Sequence, residues 1–378
     1  MKIFHLSDLH LGKRVYEYSM LEDQKYILRE ILSEIDEEHP EAVIIAGDIY
    51  DKSVPSAEAV EVFDDFLVRL AKRNLQVFVI SGNHDSPERL AFGSRLIDAS
   101  GIHLSPVYNG VVEPITLSDK YGCVNFFMLP FIKPAGIRRF FEDRDISSYT
   151  DAVKAAVGSM AKNDCERNIL IAHQFVTGAE RSDSEDNIVG GLDNADVSAF
   201  EGFDYVALGH IHAPQNISKN IRYCGTPLKY SFSEVNQKKS ITVIELEEKG
   251  NVRTRQIPLT PKHDMVEIIG TYEEVTAKSF YSGTTYQDDY VRVILKDEED
   301  VVDAMTKLRV IYRNLMTLSY DNTRTRHSSE IIGVDDTGNK STLELFSELF
   351  YQQNGKDLTD EERSFMSKII EEVEEGEK

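Results

Sequence analysis

Cysteine is scarce in this chain: its 378 residues include three, Cys123, Cys165 and Cys224, widely spaced and without a CxxC pair. An odd, scattered set excludes a disulfide framework and a zinc ribbon, and the thiols read as buried and reduced. There is no apolar run of membrane-spanning length and no secretory leader pattern behind Met1, so no membrane association is expected and the cytoplasm is the expected compartment. Positive charge is short as well. Lys and Arg total 42 against 65 Asp and Glu, a net charge of −23, which argues against adhesion to nucleic acid or anionic lipid through charge alone. A polyanionic substrate would have to be attracted by metal ions or by a basic partner subunit.

What is present is ample material for packed cores. Hydrophobic residues at 41% with charged residues at 28% is the balance of a globular chain, and its length predicts two or three domains. Short Val/Ile/Leu-rich runs at 2–6, 42–46, 76–80, 125–129, 168–172 and 205–208 read as strands covered on both faces. Amphipathic stretches lie between them, which predicts a layered α/β or α+β domain. Helix starts are legible at Ser19 with Glu22 in a capping-box pattern, at Ser56, and at Ser86 before Pro87. The first of these helices should end near His39-Pro40 and the second near Arg73. Beyond His212, runs at 221–224, 241–246 and 252–257 read as antiparallel strands completing a domain over 1–258.

Pro258 and Pro261 bracket a short linker. A βαβαβ-like pattern over 262–322 then predicts a small second domain, with strands at 265–269, 289–295 and 317–320 and helices at 272–278 and 299–314. Residues 323–340 are polar and read as a linker. A helical pair over 341–378 closes the chain: Leu343, Phe346, Leu349 and Phe350 fall at helical spacing, and a Thr359–Glu362 capping box precedes Phe365, Ile369, Ile370 and Val373. Two short helices behind a linker need a surface for their apolar faces, which favours a partner subunit.

The chemistry is concentrated where strands end. SDLH, GDIYD, GNHD, AHQ and GHIH each follow an apolar run and supply Asp8 and His10, Asp48, Asn83 and His84, His173, and His210 with His212. Loops at the carboxyl ends of strands in an open α/β sheet converge on one crevice. Carboxylates, imidazoles and an amide without thiolate suit a divalent ion such as Mn²⁺, Fe²⁺ or Zn²⁺. The set is larger than one catalytic ion needs, so two ions sharing a carboxylate are expected. Such a pair activates a hydroxide and neutralises a phosphoryl group, which makes phosphoester hydrolysis the expected reaction. His84 is placed to protonate the leaving oxygen, with Asp85 as a candidate to orient it. The site alone leaves open a nucleotide phosphodiesterase, a phosphoprotein phosphatase, or a scaffold that keeps the fold without catalysis.

In this order, D-x-H, G-D, G-N-H-D, H and G-H-x-H resemble the calcineurin-like metallophosphoesterase superfamily. The resemblance implies a four-layered αββα sandwich. It also implies that Asp8, His10, Asp48 and His212 hold one Mn²⁺, that Asp48, Asn83, His173 and His210 hold the other, and that His84 is catalytic. The fuller strings HLSDLHLGK, VIIAGDIYD, VISGNHDSPERL, the Gly190-Gly191 segment before DYVALGHIHAPQ, and YCGTPLKYSFSE resemble the SbcD family, nuclease subunits of bacterial SbcCD complexes. That resemblance implies a capping domain at 262–322 and a C-terminal helical pair at 341–378 that docks on an SbcC-type, SMC-like ATPase. It further implies a homodimer, through the helices 56–73 and 87–99, and Mn²⁺-dependent cleavage of DNA. The implied activities are 3′ to 5′ exonuclease on duplex ends and endonuclease on hairpins and single strands, in DNA repair, recombination and replication. Lys13, Arg14, Arg89, Arg138, Arg139 and Arg181 are candidate phosphate contacts.

Overall fold

The computed structural model describes residues 1–185, 194–323, 325, 342–354 and 356–376. It divides into two compact units, Met1–Asp264 and Met265–Lys378.

The first unit is built on two six-stranded sheets. One runs in the order Val252–Pro258, Ser240–Leu246, Lys2–Leu6, Ala42–Ala46, Gln76–Ile80, Ile102–Leu104. The other runs Gln215–Asn216, Ile221–Tyr223, Tyr205–Gly209, Arg167–His173, Gly122–Leu129, Ile115–Asp119. Alternate residues of both sheets meet in one buried cluster that includes Ile3, Ile44, Phe78, Phe126, Ile171 and Ala207. Phe78 and Phe126 stack across it with ring centroids 4.2 Å apart. The opposite face of the first sheet, with Phe4, Val43, Ile45 and Val79, is buried as well, on the side of helices Leu21–Glu38 and Ala57–Ala71. The opposite face of the second sheet packs with helix Tyr149–Gly158 through Phe127, Leu170, Val153 and Ala156. Helices outside two facing sheets make the αββα sandwich. Coverage on both faces is why the central strands carry unbroken apolar runs instead of alternation.

Several local expectations change. Ile221–Tyr223 pairs parallel to Tyr205–Gly209, so it extends the second sheet instead of joining the antiparallel ribbon of Ser240–Leu246 and Val252–Pro258 on the first. Ser19 does not cap its helix through a box: Tyr18–Ser19 pairs with Arg14–Val15, the N-cap is Met20, and no side chain caps it. Glu22 bonds to Lys25 instead. Ser86 does cap, but Pro87–Leu90 ends quickly and Gly93, at φ 75°, separates it from Ser94–Ile97. Of the cysteines only Cys224 is buried; Cys165 is exposed and Cys123 half-buried.

In the second unit a parallel three-stranded sheet, Met265–Gly270, Tyr290–Leu295 and Asn314–Tyr320, encloses a core of Ile268, Val275, Val293, Leu308 and Tyr312. The helix expected over 299–314 is only Ala304–Ile311, entered through Asp303 in a left-handed conformation; the acidic run 298–300 before it stays outside. Helices Thr342–Asn354 and Asp360–Gly376 follow, and the Thr359–Glu362 capping box forms. Gly190-Gly191, most of the expected linker 323–340, and the side chain of Val373 lie outside the described residues.

Candidate metal centre

Every candidate ligand stands at or just beyond the carboxyl end of a strand. Asp8 and His10 follow Lys2–Leu6, Asp48 follows Ala42–Ala46, and Asn83 with His84 follows Gln76–Ile80, all in the first sheet. In the second, His173 ends Arg167–His173, and His210 and His212 follow Tyr205–Gly209. Those strands run parallel within each sheet, so their loops open at one edge. The first two loops are zipped together beyond the sheet: the amides of Asp8, His10 and Leu11 donate to the carbonyls of Gly47, Asp48 and Ile49 at 3.0, 3.0 and 2.9 Å.

The glycine preceding each of three ligand motifs has a steric reason. A Cβ on Gly82 would lie 2.1 Å from the Asp48 carboxylate; on Gly209 it would lie 1.9 Å from the Ala46 carbonyl; on Gly47 it would lie 2.3 Å from His173 Nδ1. Backbone thus passes where a side chain would stand, and the ligands close in. The ligands themselves carry strain. Asp8, His10, Asp48 and His210 have φ of 54°, 44°, 48° and 102°, a region that costs a non-glycine residue about 1–3 kcal/mol and persists where the surroundings impose it.

The donor atoms converge in two groups around one carboxylate. His10 Nε2 lies 3.1 Å from His212 Nε2, with Asp8 in the same cluster. Asn83 Oδ1 lies 3.0 Å from His173 Nε2 and 2.9 Å from His210 Nδ1. Asp48 Oδ2 is 3.2 Å from His173 Nε2 and 3.8 Å from His10 Nε2, reaching both groups. Asp8, His10, Asp48, His173, His210 and His212 are buried, whereas Asn83 and His84 are half-buried and form the open side.

Tautomers follow from the acceptors. His173 Nδ1 is 2.8 Å from the Ala46 carbonyl, which can only accept, so Nδ1 keeps a proton and Nε2, 3.2 Å from Asp48 Oδ2, is the atom that would meet a metal ion in exchange for its own proton. Ser184 donates its hydroxyl proton to Glu234 and lies 2.7 Å from His212 Nδ1, so it accepts there and His212 Nε2 is left bare. His84 Nδ1 donates to the Asp51 carbonyl at 3.0 Å, and its backbone amide donates to Asp48 Oδ1 at 2.9 Å. Asp85 is engaged elsewhere: its carboxylate accepts from the amides of Ile49, Tyr50 and Gly82 at 3.1, 3.0 and 2.9 Å, so it braces two loops, and the group that orients His84 is a carbonyl.

Electrostatics favour a cation. Burial lowers His10 well below the usual imidazole range and His210 to about 3, leaving both neutral, as ligands must be. Burial pushes Asp48 upward, but the imidazoles of His173, His10 and His84 outweigh it and hold the carboxylate ionised, well below its usual range. Burial would lower His173, yet the Asp48 charge raises it to about 9. A pocket of buried carboxylate that draws a proton this strongly has the field to draw a metal ion. The donor set of carboxylate, imidazole and amide oxygen therefore fits a pair of divalent ions.

Residues 1–214 match the family model described as calcineurin-like phosphoesterase, which covers more than half of the chain. The chain belongs to the calcineurin-like phosphoesterases. Residues 261–354 match a second model, described as type 5 capsule protein repressor C-terminal domain. Among curated proteins, the SbcD nuclease subunit of the Staphylococcus epidermidis SbcCD complex is 35% identical over 344 residues, spanning 89% of this chain and 90% of the relative. That level of identity places the chain within the SbcD branch of the family. Two solved structures are similar at lower identity: a dimetal phosphatase from Danio rerio, with TM-score 0.37, 14% identity, and 69% and 99% of the two chains covered, and a Thermus thermophilus protein, with TM-score 0.37, 10% identity, and 68% and 98% covered. As a calcineurin-like phosphoesterase the chain is a metal-dependent phosphodiesterase using divalent ions.

This phosphoesterase centre rests on residues without a legible motif. His212 is gripped three ways: its amide donates to Glu185 at 2.7 Å, its carbonyl accepts from Lys239 at 2.9 Å, and Ser184 holds its ring. Lys239 in turn pairs with buried Glu234 at 2.5 Å. Glu234 is the last letter of the string YSFSE, the one trace of this clamp in the sequence. The candidate phosphate contacts diverge. Lys13 is tied to Asp51 at 2.8 Å, Arg14 bonds to the Glu17 carbonyl, Arg138 donates to the Ile146 carbonyl, Arg139 lies over Phe140, and Arg89 is exposed. Arg181 alone stands against the second ligand group, over Phe175.

Proposed function

We propose that this chain is the DNA nuclease subunit of an SbcCD-type complex. In this reading it hydrolyses phosphodiester bonds as a 3′ to 5′ exonuclease on duplex ends and as an endonuclease on hairpins and single strands. It works in the cytoplasm in DNA repair, recombination and replication. The observation that carries the chemistry is Asp48, one buried carboxylate within reach of both ligand groups; the nuclease named among its relatives supplies the substrate.

Asp8, His10, Asp48 and His212 would hold one divalent ion, and Asp48, Asn83, His173 and His210 the other, Mn²⁺ in both. Bound there, the ions supply a nucleophile of lowered pKa and neutralise the phosphoryl oxygens. The protein's own contribution is positional. The carbonyl of Asp51 fixes the His84 ring through its Nδ1–H, so that Nε2 faces the departing alkoxide and, when the ring carries a second proton there, delivers it to that oxygen and returns to the neutral imidazole. Strand ends and zipped loops hold the ligands rigid, and the half-buried Asn83 and His84 leave the approach for the phosphodiester on one side.

For the partner, the support lies in the two last helices, where Phe365 is 64% and Leu349 44% exposed. Apolar side chains so open on short helices fit docking on an SbcC-type ATPase. Among the described residues no helix is long and apolar enough to cross a membrane. For a homodimer, the support is narrower than the helix faces first suggest: Phe63, Phe66 and Leu70 turn inward, but Val60, Val68, Phe92 and Leu96 stand exposed.

Wild type and His84→Ala should be compared on 5′-labelled duplex and hairpin DNA, with Mn²⁺ and with EDTA, and bis-p-nitrophenyl phosphate as a small ester. Chelation should abolish cleavage, and His84→Ala should lower it by about 10²- to 10⁴-fold. If the wild type hydrolyses the small ester alone, even with the ATPase subunit supplied, the nuclease reading falls. Deleting residues 341–378 should leave small-ester hydrolysis at the level of the intact chain and abolish ATPase-subunit binding in a pull-down; retained binding would sink the docking role.

A further inference from the structure

The two sides of the centre differ in what surrounds them. Around His10 and His212 lie Asp51, the buried Tyr230 and a Lys13 already paired with Asp51. Around His173 and His210 lie aromatic rings and cations. Phe131, in the loop after Gly122–Leu129, is pinned by its amide to the Ser81 carbonyl at 2.9 Å. Its ring centroid is 6.2 Å from that of His173 and 6.4 Å from that of His210, to which it is nearly parallel at 15°. Phe175 lies 6.4 Å from His210. The Arg181 guanidinium sits over the Phe175 ring at 3.6 Å, and the Lys133 ammonium stands 5.8 Å from the Phe131 centroid. Phe131, Phe175 and Arg181 are half-buried and Lys133 is exposed, so the group forms a rim and not a core.

We propose that this rim, Phe131 with the Phe175–Arg181 stack and Lys133, is a subsite that holds an unpaired nucleotide next to the scissile phosphate, its base stacked on Phe131 or on the guanidinium plane. The proposal rests on the nuclease reading and deepens it. Aromatic faces and guanidinium planes interleaved with positive charge are the means by which proteins hold unstacked nucleotides without reading their sequence. Charge adds a second reason. In a chain of net charge −23, cations gathered beside the centre are where a polyanion can be received. A base paired within a duplex has both faces covered by its neighbours, so this subsite takes a base that has left the stack, at an end, a hairpin loop or a single strand. Small phosphate esters without a planar group gain nothing from it.

The test uses the full-length protein with Mn²⁺ and 5′-labelled single-stranded oligonucleotides in which one phosphodiester is cleavable and the others are blocked by methylphosphonates. An abasic residue is placed on one side of that linkage, then on the other. The wild type should cleave the intact oligonucleotide better than one of the two abasic forms, by between about 5- and 150-fold in kcat/KM, the worth of one stacked base. Phe131→Leu should erase that discrimination while Phe131→Tyr restores it, and Arg181→Gln should reduce the salt dependence of KM by about one phosphate contact. Metal content and melting temperature are recorded for each variant. Equal cleavage of intact and abasic forms by the wild type would overturn the subsite, as would discrimination that survives Phe131→Leu. That first comparison needs no variant to fold. If no oligonucleotide is cut while a small ester is hydrolysed, the nuclease reading fails and the subsite with it, an outcome distinct from DNA cleavage without base discrimination.

Discussion

Replacing Asp48 with Ala should remove metal binding at both ligand groups together and lower cleavage by more than about 100-fold, the upper end of what a residue that merely orients a ligand costs. The expectation follows from its position: Oδ2 lies 3.2 Å from His173 Nε2 and 3.8 Å from His10 Nε2, and Oδ1 accepts the His84 amide at 2.9 Å. Without the carboxylate, the neutral His10 and His210 rings lose a buried negative charge of their own clusters, and His173 loses the group that raises it. Asp48→Asn separates charge from shape. Its amide oxygen can still accept from His84, so the loop should stay in place while the ions are lost. Metal content by elemental analysis, with isothermal titration of Mn²⁺, reads the result. Two ions per chain retained in Asp48→Ala would show that the groups do not share this carboxylate.

Much of this centre was legible because two signals coincide in it. Strands such as AVIIA at 42–46 and QVFVI at 76–80 are buried on both faces, so apolar runs mark them plainly. The polar residues that interrupt those runs are the ligands. Elements that lack such contrast were not legible: Ile102–Leu104 is three residues with a histidine at its centre, and Ile115–Asp119 is a half-exposed edge strand. The direction of Ile221–Tyr223 was hidden for another reason, since its partner lies on Tyr205–Gly209 and a local pattern cannot tell parallel from antiparallel pairing. Ser19 shows local chemistry yielding to tertiary structure, as its ladder with Arg14 moves the helix start to Met20. The His212 clamp is the most instructive omission. Ser184 and Glu185 on one segment and Glu234 and Lys239 on another, about 50 residues on, resemble ordinary surface residues in sequence, yet Glu185, Glu234 and Lys239 are buried and linked to one ring or its backbone. Only the fold brings them together.

Gly209→Ala should be the most damaging change that removes no functional group. The added Cβ would lie 1.9 Å from the Ala46 carbonyl oxygen and 2.7 Å from His173 Nδ1. The first is backbone of the facing sheet, and the second is the ring nitrogen that donates to that same carbonyl. Neither is the end of a flexible side chain, so the sheets must separate locally or the imidazole must leave its acceptor. Overpacking of this kind costs about 1–3 kcal/mol and more where backbone is hit. About 3 kcal/mol would lower the melting temperature by roughly 6–12 °C for a unit of this size. His173 would lose the bond that fixes its tautomer, so Mn²⁺ affinity should fall as well, separating this change from a simple loss of stability. Gly136→Ala is the control: nothing lies within 4 Å of a Cβ there, its φ is not in the left-handed range, and it sits in the short helix Pro134–Ile137. Calorimetry and Mn²⁺ titration of both variants decide the matter. If Gly209→Ala melts and binds metal like Gly136→Ala, the close approach of the two sheets at this point is not what holds the His173 ring.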